Sequence, residues 1–275
     1  MKIKCIVCQS RNEKNFFTVG SFEIARCGDC GLVRTANPRK FDYQSYHRDE
    51  DYQKFASLFK NFFLKRYKII CKFKKEPGKV LEIGASTGTF LEIFQEKGWQ
   101  VWGVEPSISG EIAQKKDIKI LRSTFEKAKL PQNFFDVIIL NHTLEHLENP
   151  VLVLQKAKKL LKKNGVVLVD VPNFGSLSAK IRGKRWPYLT PEEHLFHFTP
   201  GTLKKVFKKA GLGVIHTETH SGVFDCGDVG LEIWQAFVGR KKRFLKDVFT
   251  LPGSFVITYI LNQGTSLTMV GRRTP

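Results

Sequence analysis

The 275 residues carry 45 Lys and Arg against 26 Asp and Glu, a formal net charge of +19, with 42% hydrophobic and 26% charged residues. That composition is globular and excludes a low-complexity or collagen-like chain, and the length suits one α/β domain with a small appendage. The cation excess favours an anionic partner such as nucleic acid, a phosphorylated acceptor or an acidic membrane surface; a solvated, lysine-rich face accounts for it equally well.

The opening segment, MKIKCIVCQSRNEK, has no apolar core, so a signal peptide is not expected. A membrane span needs a run of about 18 apolar residues. The nearest candidate, Phe244 to Leu261, is broken by Lys246, Asp247 and Pro252-Gly253. A cytoplasmic protein is the expectation. Cys5 and Cys8, then Cys27 and Cys30, form two C-x2-C pairs separated by 18 residues (9 to 26). Two such knuckles present four thiolates, the closed tetrahedral set of a structural Zn²⁺ ribbon. Gly28 and Gly31 suit the tight second knuckle. Disulfides are the competing reading, and a cytoplasmic location argues against them. A closed site has no open position for chemistry, so its role is structural or docking. Cys71 and Cys226 have no partners at ligand spacing and read as ordinary buried residues.

From Tyr43 to Lys75 aromatic and basic residues alternate at helical spacing, with Phe55, Leu58, Phe59, Phe62, Ile69 and Phe73 on one face. This predicts one or two helices covering a sheet, ended by Pro77-Gly78. Strands and helices then alternate. Strands are expected at 79–83, 101–104, 118–121, 135–140, 166–171, 213–217 and 266–270. Helices are expected at 88–97, 111–116, 151–163 and 202–210. The first of these is capped by Ser86 or Thr87 and stopped by Gly98. The pattern predicts a doubly wound, mostly parallel seven-stranded sheet with its ligands at the carboxyl ends of the strands. Domain limits fall at 1–40 for the ribbon, 41–78 for a helical cover and 79–275 for the main domain, with an insertion at about 174–200.

The loop LEIGASTGTFLE (81–92) fits three chemistries. Gly84-Ala85-Ser86-Thr87-Gly88 spells the G-x-S-x-G nucleophile elbow, and Asp136 or Asp170 with His194, His197, His216 or His220 nominally completes a triad. But Ser86 follows the first strand of the sheet, and no oxyanion segment precedes it. The loop also approaches G-x-G-x-x-G, with Glu105 placed for ribose hydroxyls, though Ser86 and Thr89 replace the second and third glycines. Charge separates the readings. Val80–Glu96, Trp99–Gln114, Leu130–Gln155 and Asn164–Ala179 contain no Lys or Arg, yet carry Glu82, Glu105, Glu145 and Glu148. Loops lined by acids suit a cationic ligand better than a pyrophosphate.

Glu82–Gly88, Gly103-Val104-Glu105-Pro106-Ser107, Phe135–Ile138 with His142–Pro150, and Leu160–Gly165 together resemble the ordered motifs of class I S-adenosylmethionine (SAM)-dependent methyltransferases. The resemblance is to the group containing ubiquinone-biosynthesis and sugar methyltransferases. Arg185-Trp186-Pro187, Glu193–Thr199 and Lys209–Leu212 look like the same group. It covers about residues 79 to 275, and a four-cysteine ribbon before such a domain resembles methyltransferases of saccharide biosynthesis. Ser86 departs from the commonest G-x-G-x-G loop.

The resemblance implies SAM as cofactor and direct displacement by an acceptor oxygen, nitrogen or carbon. Glu82, Gly84, Ala85, Ser86 and Gly88 would pack on its methionine and ribose, with Glu105 and Pro106 at the ribose. Thr124 and Phe125 would meet adenine, and Asn141 would lie beside the methyl group. His194, His197 and His142 are the candidate general bases; each also reads as a packing residue. Lys180, Arg182, Lys184 and Arg185 beside Trp186 and Tyr188, and Arg240–Arg243 before the apolar Phe255–Leu261, suggest a phosphate-bearing small-molecule acceptor, nucleotide- or lipid-linked, and a contact with a membrane surface. The alternatives are an RNA methyltransferase, although the fourth strand of the sheet ends in Asn141-His142-Thr143-Leu144 rather than N-P-P-Y, and a non-catalytic SAM-binding module. The sequence leaves the oligomeric state open.

Overall fold

A computed structural model describes residues 4–39, 42, 56–221 and 256–273. Phe55, Cys226, Arg240–Arg243 and the side chain of Leu58 lie outside that description. Three strands, β1 (Glu13–Val19), β2 (Phe22–Cys27) and β3 (Val33–Thr35), form an antiparallel meander that follows the first cysteine pair and carries the second at its β2–β3 turn. A 16-residue helix, α1 (Ala56–Cys71), follows. Its Phe62, Phe63, Ile69 and Ile70 are buried, and so is Arg66, a cation on the same stripe four residues after Phe62.

The alternating units come next: β4 (Lys79–Ile83), α2 (Thr89–Gln95), β5 (Gln100–Val104), α3 (Gly110–Gln114), β6 (Lys119–Leu121) and β7 (Phe135–Asn141). Val137 to Leu140 are wholly buried, as a parallel strand covered on both faces requires. Helix α4 (Pro150–Leu160) starts where the Asn149 side chain accepts from the Leu152 N–H and Pro150 takes a first-turn position. It ends three residues earlier than its periodicity predicts. Leu161 is already extended and pairs with Phe135, so β8 (Leu161–Pro172) runs for 12 residues. The helix at Thr89 is capped by Gly88, with no side-chain cap from Ser86 or Thr87.

Helix α5 (Leu177–Arg182), the two-residue strand β9 (Phe196–His197), α6 (Pro200–Ala210), β10 (Leu212–His220) and β11 (Ser266–Arg273) follow, with a 3-10 turn at Gly183–Arg185 and a single π-helical turn at Val256–Ile260. The main sheet has the order β10-β11-β8-β7-β4-β5-β6, with β11 antiparallel to both neighbours and the rest parallel. This is the doubly wound, mostly parallel seven-stranded sheet that the pattern predicts. A second sheet, β1-β2-β3-β9, has no counterpart in the sequence pattern: β9 comes from the segment after β8 and pairs with the cysteine meander. Cys27, Cys30 and Leu32 share one hydrophobic core with Phe196, Phe198 and Leu203. Among the described residues no helix is long and apolar enough to cross a membrane.

Candidate functional site

The β4–α2 loop turns tightly because Gly84 and Gly88 adopt left-handed φ values of 75° and 74°, and Ser86 is held there too at 46°. A Cβ on Gly84 would stand 2.5 Å from Thr143 Oγ1. Glu105, at the end of β5, braces this loop. Its two carboxylate oxygens accept from the Ser86 and Ser107 backbone N–H groups, both at 2.8 Å. Beneath the loop, Glu82 is 3% exposed, and its Oε2 has no hydrogen-bond partner; Asn141 Oδ1 at the end of β7 has none either. Burial, reinforced by the charge on Glu105, pushes the Glu82 carboxyl well up.

Glu82, Gly84, Ala85, Ser86 and Asn141 line one small cavity of about 20 Å³, together with Phe63, Thr87, Thr89 and Phe90. Phe63 reaches it from α1, its ring stacked 4.8 Å from that of Phe90. No local signal marks Phe63 in the sequence beyond its place on an aromatic helix. Gly88, Glu105, Pro106, Thr124 and Phe125 stand outside that lining. Phe125 is a core residue beneath Lys156, whose Nζ lies 4.7 Å from the ring centroid. Two unpartnered acceptors facing a left-handed loop fit a ligand that brings N–H or O–H donors and positive charge.

Past β7 the chain enters a short 3-10 turn, Leu144–His146. His142 is also left-handed, at φ 48°, with its N–H donating to the Asp170 carbonyl at 2.8 Å. Its Nε2 lies 3.4 Å from Asp170 Oδ1 and its Nδ1 3.5 Å from Glu145 Oε1. Burial works against its charge, but those two carboxylates outweigh it and raise the pKa above 6.5. Asp170 is wholly buried. It accepts from Arg66 Nε at 2.8 Å, from Ser266 Oγ at 2.6 Å and from the Thr268 hydroxyl. The acidic end of the sheet therefore does receive one cation, carried in by α1. Burial opposes ionisation of Asp170, yet Arg66, His142 and His220 hold its pKa down to about 2.

Glu145 is 1% exposed, and neither carboxylate oxygen has a hydrogen-bond partner. His146 and His194 meet edge-to-face at 4.7 Å, and donor atoms of Glu145, His146 and His194 lie within 4.8 Å of one another, close enough to share one cation. The His194 Nδ1 is 3.2 Å from the Tyr188 carbonyl. Burial pushes His194 down to about 4 and His197 to about 3, so both rings are neutral near pH 7. His197 Nε2 faces the Thr35 hydroxyl at 3.3 Å, and that hydroxyl donates to the His194 carbonyl at 2.7 Å.

Cys5, Cys8, Cys27 and Cys30 converge, with Sγ–Sγ distances of 3.5 Å for Cys5–Cys30 and for Cys8–Cys27. That is far too long for a disulfide at about 2.05 Å. It is close to the roughly 3.8 Å edge of a tetrahedron with Zn–S bonds of about 2.3 Å. Lys180, Arg182, Lys184 and Arg185 are exposed beside Ile181, while Trp186 is buried against Phe174.

Residues 46–217 match the family model described as a methyltransferase domain. A ubiquinone biosynthesis O-methyltransferase from Rhodopseudomonas palustris is 29% identical over 160 residues, which cover 54% of this chain and 62% of that one. The C-methyltransferase NovU of Streptomyces niveus is 25% identical over 147 residues, covering 51% and 34%. The chain thus matches only about a third to three fifths of these relatives' lengths. A Thermotoga maritima structure described as a SAM-dependent methyltransferase, with histamine N-methyl transfer given as a possible activity, superposes with TM-score 0.58 at 19% identity, over 82% of this chain and 96% of that chain.

Proposed function

The chain belongs to the methyltransferase-domain family, and from that premise we propose that it transfers a methyl group from SAM to a hydroxyl or acidic carbon of a small-molecule acceptor. The observation that carries this reading is the pair of unpartnered acceptors, Glu82 Oε2 and Asn141 Oδ1, facing the left-handed Gly84–Gly88 loop. SAM would supply an electrophilic methyl on a sulfonium, which leaves as a neutral thioether. Glu82 would hold the cofactor's ammonium, and Gly84, Ala85, Ser86 and Gly88 its methionine and ribose. Glu105, which braces the loop through Ser86 and Ser107, would accept the ribose hydroxyls on its remaining lone pairs, with Pro106 beside it. Thr124 and Phe125 would border the adenine from the far side of β6.

His142 is the proposed general base. It is the most exposed of the three candidate rings, with 38% of its side chain accessible, and it is flanked by Glu145 and Asp170, which stabilise the imidazolium as the acceptor loses its proton. His194 and His197 are assigned to holding the segment that covers the acceptor. Positioning supplies most of the rest, since holding two reactants in line contributes several kcal/mol.

The four cysteines hold a structural Zn²⁺ in this reading, and the chain divides at about residues 40 and 78 into ribbon, helical cover and catalytic domain. We further assign a membrane-surface contact to α5 and the turn at 256–261. Ile181, Ile260 and Leu261 are 75%, 67% and 53% exposed beside the basic run, and Lys180 Nζ donates to Gln263 at 3.1 Å. The deciding experiment is calorimetry with SAM and S-adenosylhomocysteine on the wild type and on Glu82→Gln. Failure of both ligands to bind the wild type would sink the reading.

A further inference from the structure

Residues 194–197 are clamped from both sides. On one side stands the cysteine meander. The Cys27–Cys30 turn is closed by the Cys27 N–H donating to the Leu32 carbonyl at 2.9 Å and the Gly31 N–H to the Cys27 carbonyl at 3.0 Å. That turn delivers β3, whose Val33 and Arg34 pair with His197 and Phe196. Thr35 extends the contact. Its N–H donates to the Leu195 carbonyl at 3.0 Å and its hydroxyl to the His194 carbonyl at 2.7 Å. The hydroxyl has one proton, so its oxygen is left to accept, and His197 Nε2 at 3.3 Å is placed to donate to it. Thr35 is 2% exposed and His197 3%, so both lie out of reach of bulk water.

On the other side stands the 3-10 turn Leu144–His146. The Leu195 N–H donates to the Glu145 carbonyl at 2.8 Å, and the Glu193 carbonyl lies 3.1 Å from His146 Nδ1. The His194 carbonyl and the Leu195 N–H belong to one planar peptide unit. A single rigid group therefore joins the Thr35 hydroxyl to the Glu145 backbone. Glu145 needs that hold. Neither of its carboxylate oxygens has a hydrogen-bond partner, so backbone and packing set where the buried carboxylate stands.

Its place matters to His142, whose Nδ1 is 3.5 Å from Glu145 Oε1. The other groups facing His142 are anchored elsewhere. Asp170 on β8, 3.4 Å from Nε2, is held by Ser266, Thr268 and Arg66, and Arg66 comes from α1 with the Phe62 ring. His194, its Nε2 4.0 Å from Glu145 Oε1, belongs to the clamped segment itself. Burial disfavours charge on His142, and Glu145 and Asp170 overcome it. Of those two carboxylates, Glu145 is the one whose place depends on the meander.

We propose that Thr35 is a positioning residue for methyl transfer: from the cysteine meander it fixes the 194–195 peptide, and through it the turn that holds the Glu145 carboxylate against His142. The meander is then part of what makes the base competent. The inference rests on the assignment of His142 as general base in the methyltransferase reading above.

The test follows the His142 ring by NMR titration of the full chain with labelled histidine, its signal identified by its loss in His142→Gln. Thr35→Val keeps the shape but leaves the buried His194 carbonyl without its side-chain donor, so the peptide shifts. The His142 midpoint should fall by about one pH unit, because an opposite charge within about 4–6 Å is worth about 1–3. The acid limb of S-adenosylhomocysteine formation should move to lower pH with it. Thr35→Ser, which keeps the hydroxyl, should hold the wild-type midpoint, and S-adenosylhomocysteine affinity should not change in either variant. A folded Thr35→Val with the wild-type midpoint, or a Thr35→Ser that moves as far, overturns the proposal. If Thr35→Val does not fold, Cys30→Ser opens the β2–β3 turn without touching Thr35 and must lower the midpoint likewise; an unmoved midpoint there also overturns it. Those failures leave the methyltransferase reading standing, whereas a wild type that binds no S-adenosylhomocysteine overturns that reading and the role of the base with it.

Discussion

Arg66 offers the sharpest test of how the site is built. It is wholly buried in α1, pairs with the equally buried Asp170 on β8 at 2.8 Å, reaches Ser266 Oγ at 3.1 Å and lies 3.8 Å over the Phe62 ring. A shift of Asp170 from 3.8 to about 2 corresponds to about 2.4 kcal/mol at roughly 1.36 kcal/mol per unit. Because the folded pKa is depressed, that stability is present above the unfolded value of 3.8 and is lost as pH falls through about 2. Arg66→Met keeps the volume but strands the carboxylate, and breaking a buried pair in this way costs about 3–5 kcal/mol. That is a large share of a net stability of about 5–15 kcal/mol. Urea unfolding followed by tryptophan fluorescence should show the loss at pH 7. The gap to wild type should narrow towards pH 4, because the stranded carboxyl then takes up a proton. Arg66 also lowers the His142 pKa, so its removal should move the acid limb of the rate profile to higher pH. A loss under about 1 kcal/mol at pH 7, or one independent of pH, would refute the argument.

His142→Ala should nearly abolish formation of S-adenosylhomocysteine from SAM while leaving its binding intact, and the wild-type rate should rise with pH through a His142 pKa above 6.5; His194→Gln and His197→Gln, already neutral there, should leave that limb in place. SAM should bind more tightly as pH rises through the elevated Glu82 pKa, with protons released to buffer, and Glu82→Gln should remove both effects; calorimetry in buffers of different ionisation enthalpy reads them. Gly84→Ala should cost at least about 1–2 kcal/mol from left-handed backbone alone, and the clash with Thr143 should abolish SAM binding, checked by thermal melting and calorimetry. Stripping the thiolates with a mercurial should release a single zinc ion and expose the Thr35 amide, now bonded to Leu195, to hydrogen exchange.

What could be read from the chain is what repeats locally. The parallel strands announce themselves as apolar runs such as Phe135–Leu140, and the Gly84–Gly88 turn as glycines that the backbone demands. What could not be read depends on partners distant in sequence. The two-residue β9 has no periodicity of its own, and it is a strand only because β3 supplies its edge, 162 to 164 residues away. Arg66 falls on the apolar stripe of its helix, four residues after Phe62 and three before Ile69, where a cation is not expected, and Asp170, 104 residues on, explains how its charge is accommodated. Helix α4 stops short because Leu161 finds Phe135, a contest between helix propensity and sheet pairing that spacing alone does not decide. The histidines of the HLFHFT segment look alike in sequence and separate only by what buries them.

The place of β11 has a consequence for synthesis. Residues 266–273 fill the gap between β8 and β10, and their Ser266 and Thr268 hydroxyls bind Asp170. Until that stretch leaves the ribosome, β8 presents a bare edge of Val166, Val167, Leu168 and Val169, and the Arg66–Asp170 pair lacks two of its donors. Nascent chains halted before residue 266 should therefore be sticky and dependent on chaperones, and completion of the sheet should coincide with assembly of the buried polar cluster beside His142.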